Sequence, residues 1–218
     1  MNIYIETGQK KVIAGAVDWP GWCRIQKSEE AAIELLQTYR ARYARVLEGS
    51  GLSFHDPGGV ADFVIVERHA GDSTTDFGAP SVTLDMDRAP VSELDFEHFA
   101  QILEACWRAL DAAAEASQGK ELRKGPRGGG RDLEKILLHV YEGHQGYLRR
   151  LAWRGKMRAV SETAQVRQDT LDALSVAVFD GLPETGPRGG KLWTPRYFVR
   201  RAAWHILDHA WEIEDRII

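Results

Sequence analysis

Two histidines four residues apart, His205 and His209 in Trp204-His205-Ile206-Leu207-Asp208-His209-Ala210-Trp211, have the types and spacing to do chemistry. On a helix, that spacing puts both imidazoles on one face about one turn apart, where they can share a metal ion. Two ligands are too few, so a third must come from another element, and His139 and His144 on an earlier predicted helix are the candidates. His144 falls in register with Leu133, Leu137, Val140, Tyr147 and Leu151 and should face the core. His139 lies to one side, on a stripe with Gly143 and Gly146 that leaves room for a ligand or a closely packed helix, and is preferred. Glu212 and Arg216 continue the stripe of His205 and His209. In the plainer reading the two histidines are only hydrogen-bonded to each other, with Asp208 or Glu212 as partners. A metal on three protein ligands keeps open positions at which a bound water or thiol loses its proton more easily, so hydrolysis or thiol transfer is the chemistry expected. Glu212 is then a candidate proton carrier. Position 206 is isoleucine, so this is not the zinc-protease pattern, which needs glutamate directly after the first histidine.

A near-repeat adds two arginines. Gly125-Pro126-Arg127-Gly128-Gly129 and Gly186-Pro187-Arg188-Gly189-Gly190 each precede a predicted helix. Glycine-rich turns at helix starts can hold anions through backbone N–H groups, so Arg127 and Arg188 are candidate substrate contacts. No phosphate-loop spacing accompanies them, and flexible connectors with solvated arginines are the simpler account. His55, His69 and His98 have no partners in view and read as surface residues in loops or at a helix start. Cys23 and Cys106 read as buried structural thiols.

The elements that must position these groups follow from pattern. The chain has 218 residues, is 44% hydrophobic and 28% charged, and carries a net charge of −4. That acidity argues against a nucleic-acid partner. Two cysteines are too few for a secreted disulfide scaffold. No apolar run approaches the ~20 residues of a membrane span, and the first residues lack a signal peptide's pattern. A cytoplasmic location is therefore expected.

Ile3 to Ile5 and Val12 to Val17 form a predicted hairpin around Thr7-Gly8-Gln9-Lys10, and Trp22 to Ile25 resumes as a short strand. Ser28 is a helix cap, and a helix should run to about Leu47. Ala61 to Glu67 is the last strand, giving the order ββ(β)αβ. A polar, Gly- and Pro-containing stretch over residues 69–91 reads as a linker. Beyond it all is helix: one from Ser92, where Asp95 completes a capping box, one over Asp132 to Trp153, one over Thr163 to Phe179, and one from Thr194-Pro195 to the chain end. The class is α+β: an N-terminal α/β module over 1–68 and an antiparallel four-helix bundle over 92–218.

Leu137-Leu138-His139-Val140, together with Trp204 to Arg216, resembles the DinB-like superfamily of four-helix proteins over about Leu94 to Ile218. The resemblance implies a divalent metal (Zn, Ni, Fe or Mn) held by His139, His205 and His209, and with it a metal-dependent thiol transferase or hydrolase acting on a small molecule; His144, Asp208, Glu212, Arg127 and Arg188 are the candidates, from the residues themselves, for contacts to those ligands or to a substrate. A shifted register would place the ligand pair at His209 and Ile213, and isoleucine cannot bind a metal. Ala14-Gly15-Ala16-Val17-Asp18-Trp19-Pro20-Gly21-Trp22-Cys23 and Ser28-Glu29-Glu30-Ala31-Ala32 resemble HicB-like modules, known as antitoxin partners. This second resemblance implies homodimerisation or a protein partner through residues 1–68, and with it a non-catalytic, regulatory alternative.

Overall fold

The computed structural model describes residues 1–124 and 130–218. It is α+β, a small four-stranded sheet followed by helices. The strands are β1 (Asn2–Thr7), β2 (Val12–Ala16), β3 (Cys23–Gln26) and β4 (Val64–Ala70), in the order β3-β2-β1-β4. β1 and β2 form the expected hairpin with Thr7 opposite Val12, β3 is antiparallel to β2, and β4 is parallel to β1. A parallel neighbour requires a crossover. The chain makes it through α1 (Glu29–Thr38) and α2 (Arg40–Leu47), and Ser28 caps α1 by accepting from the Ala31 N–H.

Two boundaries in this first part of the chain differ most from expectation. The helix expected from Ser28 to Leu47 divides at Tyr39, whose N–H is shared between the Leu35 and Leu36 carbonyls at 3.2 Å each. Its ring stands edge-on to Trp211 at 5.0 Å and under the Arg24 guanidinium at 4.1 Å, so tertiary contacts hold the break. The last strand begins at Val64 rather than Ala61, because residues 60–62 form a 3-10 turn closed by Asp62 accepting from the Gly59 N–H.

β2 is buried throughout and β1 at its four central positions, so both faces of the sheet are covered. Ile3, Ile5, Ala14 and Ala16 face one side with Trp22, Leu36 and Tyr43, while Tyr4 and Ile13 face the other with Ala79, Leu84 and Trp204. Residues 71–91 lie against this second side. They contain α3 (Ser73–Phe77), capped by Asp72 and closed by Gly78 at φ +111°. Glu6, fully buried on β1, accepts from the hydroxyls of Thr75 and Ser81 and the backbone N–H groups of Ser81 and Val82. Asp87 pairs with Arg200 at 2.5 Å, each 4% exposed.

Four long helices complete the fold: α4 (Glu93–Ala116), α5 (Leu133–Leu148), α6 (Thr163–Phe179) and α7 (Pro195–Arg216). The capping box at Ser92 and Asp95 is present, Asp132 caps α5, and Thr194 caps α7 ahead of Pro195. α5 ends at Leu148 rather than Trp153; a 3-10 turn over 149–151 and Ala152 at φ 62° redirect the chain. α7 packs against α4, α5 and α6, and its apolar residues share one continuous core with α1, α2 and one sheet face. Arg24 binds Asp208, and Arg42 binds Glu214 and Asp215, across the same contact. The Trp19-Pro20-Gly21-Trp22 turn seats against α7. At Gly21, φ +95°, a Cβ would lie 2.9 Å from Leu207 Cδ1 and 3.2 Å from Ala203 Cβ. No described helix is long and apolar enough to cross a membrane.

Candidate metal centre

α5 delivers His139 and α7 delivers His205 and His209, and the three rings converge. The candidate ligand nitrogens all lie within 4.8 Å of one another. Ring centroids are 5.1 Å apart for His139 and His205, and 4.9 Å for each of the other two pairs. The Nε2 atoms of His139 and His205 are 3.2 Å apart. His205 is 5% and His209 9% exposed, while His139 forms the more open side of the cluster.

His209 is oriented from behind. Its Nδ1 lies 2.7 Å from Glu212 Oε2, and Glu212 Oε1 accepts from Arg216 Nη1 at 2.5 Å. Arg216 in turn donates to the carbonyls of Arg123 and Arg131, both in the α4–α5 connection. The hydrogen bond from His209, followed by Arg216, holds the Glu212 carboxyl below its ordinary range despite partial burial. A carboxylate on Nδ1 fixes that nitrogen as a donor and orients the ring, which leaves Nε2 as the nitrogen that could bind a metal.

Burial pushes His205 down to about 2, helped by the neighbouring His209 and His139 and the Arg201 charge. Burial first, then His209 and Arg131, also lowers His139, against the pull of Glu212. Both rings are therefore held neutral, the state in which imidazole donates a lone pair. His205 Nδ1 is buried with no hydrogen-bond partner. Gly143 makes the convergence sterically possible, because a Cβ there would lie 2.8 Å from His205 Cε1. The bare stripe expected at Gly143 and Gly146 is thus used at the first position and open at the second.

No family model, curated protein or solved structure matches this chain. Its site is read from geometry.

Of the surrounding candidates among the described residues, Glu212 joins the cluster, and His144 and Asp208 do not. His144 is buried in the core, as its register implied, with Nε2 at 2.8 Å from Thr170 Oγ1. Asp208 is paired with Arg24 at 2.8 Å. Arg127 and the Arg188 side chain lie outside the described residues. Ile213, the ligand position of the shifted register, is fully buried in the apolar core.

His69 corrects the expectation of a partnerless loop histidine. It sits on β4, with Nε2 at 2.6 Å from Glu67 Oε2, and Asp85 completes a second acid–histidine group. Glu67 also accepts from the backbone N–H groups of Asp85 and Met86 at 2.8 and 3.0 Å, so its oxygens are committed to fastening the 71–91 segment. The i, i+2 spacing of Glu67 and His69 on a strand was the available signal. His98 lies on α4 with Nε2 3.2 Å from the Asp18 carbonyl, and His55 is exposed. Arg216 joins the cluster's surroundings through Glu212. Its i+4 relation to Glu212 was visible, but its contacts with residues 123 and 131 depend on tertiary structure.

Proposed function

We propose that His139, His205 and His209 hold one divalent metal ion and that the chain is a DinB-like, metal-dependent thiol transferase or hydrolase acting on a small molecule. The observation that carries this is the meeting of three imidazoles from two helices, with their candidate ligand nitrogens all within 4.8 Å of one another. Ligand nitrogens about 2.0–2.1 Å from a tetrahedral ion are roughly 3.3 Å apart, and the Nε2 atoms of His139 and His205 are 3.2 Å apart. Three imidazoles suit Zn, Ni or Fe better than Mn, which favours oxygen ligands.

Bound there with open positions, such an ion lowers the pKa of a coordinated water or thiol and polarises a substrate oxygen. The chain's own residues supply the rest. Glu212 holds the Nδ1 proton of His209 and fixes the ring. Arg216 keeps Glu212 ionised and in place. The buried flank of His205 excludes water on the core side, and the open flank at His139 leaves access for a substrate.

The deciding experiment is metal analysis of protein purified without chelator. About one equivalent is expected, falling sharply in His139→Ala and His209→Ala; less than about a tenth of an equivalent in the parent would overturn the reading. Metal-loaded protein should then accelerate thiol addition or ester hydrolysis over the stripped protein.

A non-catalytic reading has one supporting observation. β4 ends the sheet with Val64 56% and Val66 43% exposed, an edge on which a second copy of the HicB-like module could add its own strand. Light scattering decides it: a dimer that Val64→Lys dissociates favours pairing through this edge, and a parent monomer rejects it.

A further inference from the structure

A cavity of about 150 Å³ lies among α4, α5, α6 and α7, walled by Trp107, Leu110, Val140, Val166 and Ile206, and none of the three clustered histidines lines it. Its walls are mainly apolar, but two polar groups on them are unsatisfied. His144, 4% exposed, lines the cavity and has a buried Nδ1 with no partner. The hydrogen-bond network fixes its tautomer. Thr170 donates its hydroxyl hydrogen to the Val166 carbonyl at 2.7 Å, so its oxygen must accept from His144 Nε2–H at 2.8 Å. His144 Nδ1 is then a bare acceptor. On the solvent side, Arg167 binds Asp111 through Nη1 and Nη2 at 2.7 and 2.6 Å, while its Nε, also buried, has no acceptor. The guanidinium is already neutralised by Asp111, so the cavity offers one free acceptor, one free donor and no net charge.

We propose that this cavity binds a small uncharged ring compound bearing one hydroxyl, of the phenol class. An apolar cavity of about this volume holds a benzene ring. A hydroxyl both donates and accepts, which matches the bare His144 Nδ1 and the unpaired Arg167 Nε–H, whereas an anion would have to displace Asp111. This assignment is independent of the metal, and its failure would leave the three-histidine reading untouched.

The test uses the full chain and three probes of similar size: phenol, anisole and benzene. Phenol should bind saturably by calorimetry and shift the His144 Nδ1 resonance in ¹⁵N-edited spectra as that nitrogen accepts a hydrogen bond. Anisole and benzene, which leave the acceptor unpaired, should bind about tenfold more weakly or worse. Ala114→Phe, at a half-buried position on the cavity wall, should abolish phenol binding in a protein that melts like the parent. The proposal is overturned by any of four results: no saturation with phenol up to about 10 mM, anisole binding as tightly as phenol, an unmoved His144 Nδ1 resonance at saturation, or phenol binding that survives Ala114→Phe.

Discussion

Replacing Gly143 by alanine should stabilise a helix and weaken the metal site at once. Gly143 lies within α5, where alanine is preferred over glycine by up to about 1 kcal/mol. The added Cβ would sit 2.8 Å from His205 Cε1, whereas ordinary contacts begin near 3.4 Å, so the ring must yield by about 0.6 Å. His205 is 5% exposed, and Tyr147 and Trp204 flank it at centroid distances of 5.5 and 6.0 Å, which leaves little room to yield. Displacement beyond roughly 0.5 Å is enough to spoil a coordination geometry. Affinity should therefore fall about 10–100-fold, the loss usual when the support of a ligand is disturbed. Gly146→Ala is the internal control, because a Cβ there meets nothing within 4 Å. It should raise the melting temperature and leave affinity unchanged. The assay is Zn²⁺ competition against a chromophoric chelator, paired with thermal melts of the stripped proteins. If Gly143→Ala binds Zn²⁺ as tightly as the parent, His205 is not held where the cluster requires and the steric argument fails.

The Asp87–Arg200 pair is buried on both sides, so Arg200→Ala should cost about 3–5 kcal/mol in urea unfolding by stranding the carboxylate, and Arg200→Met with Asp87→Leu should recover most of it. Burial, with Arg167 nearby, lowers His144 from 6.5 to about 4, so the unfolded chain takes up the proton first. Its contribution is fully present above pH 6.5 and is lost as pH falls toward 4, at about 1.4 kcal/mol per pH unit, and His144→Gln should flatten that part of the stability profile of stripped protein. Burial pushes the Cys23 thiol up to about 12 and the Cys106 thiol higher still, so neither should react with a thiol reagent at neutral pH until the protein is unfolded.

What could be read in advance was whatever local chemistry decides. The caps at Ser28, Ser92 and Thr194 lie next to the helices they start, and the hairpin turn lies next to its strands. The spacing of His205 and His209 also placed two rings on one face without tertiary information. His139, distant in sequence, is favoured over His144 by side-chain register and resemblance, and the fold brings it to the pair. Features set by distant partners escaped. Tyr39 interrupts its helix beneath Arg24 and beside Trp211. Glu6 alternates into a sheet face where a charge looks wrong until Thr75 and Ser81 arrive to bind it. Asp87 and Arg200, 113 residues apart, look like ordinary surface charges in the sequence.

Gly21 and Gly143 grip the same stretch of α7. His205 projects toward Gly143, while Ala203 and Leu207, two residues to either side, project roughly the opposite way toward Gly21. The helix that carries His205 and His209 is thus clamped at its waist between the Trp-Pro-Gly-Trp turn and the neighbouring helix, with no slack on either jaw. A bulkier residue in the turn would push the helix bodily toward α5, and the distortion would arrive at the imidazoles although the altered residue touches none of them. Screens for loss of function should therefore return substitutions in that N-terminal turn alongside those in the histidines themselves.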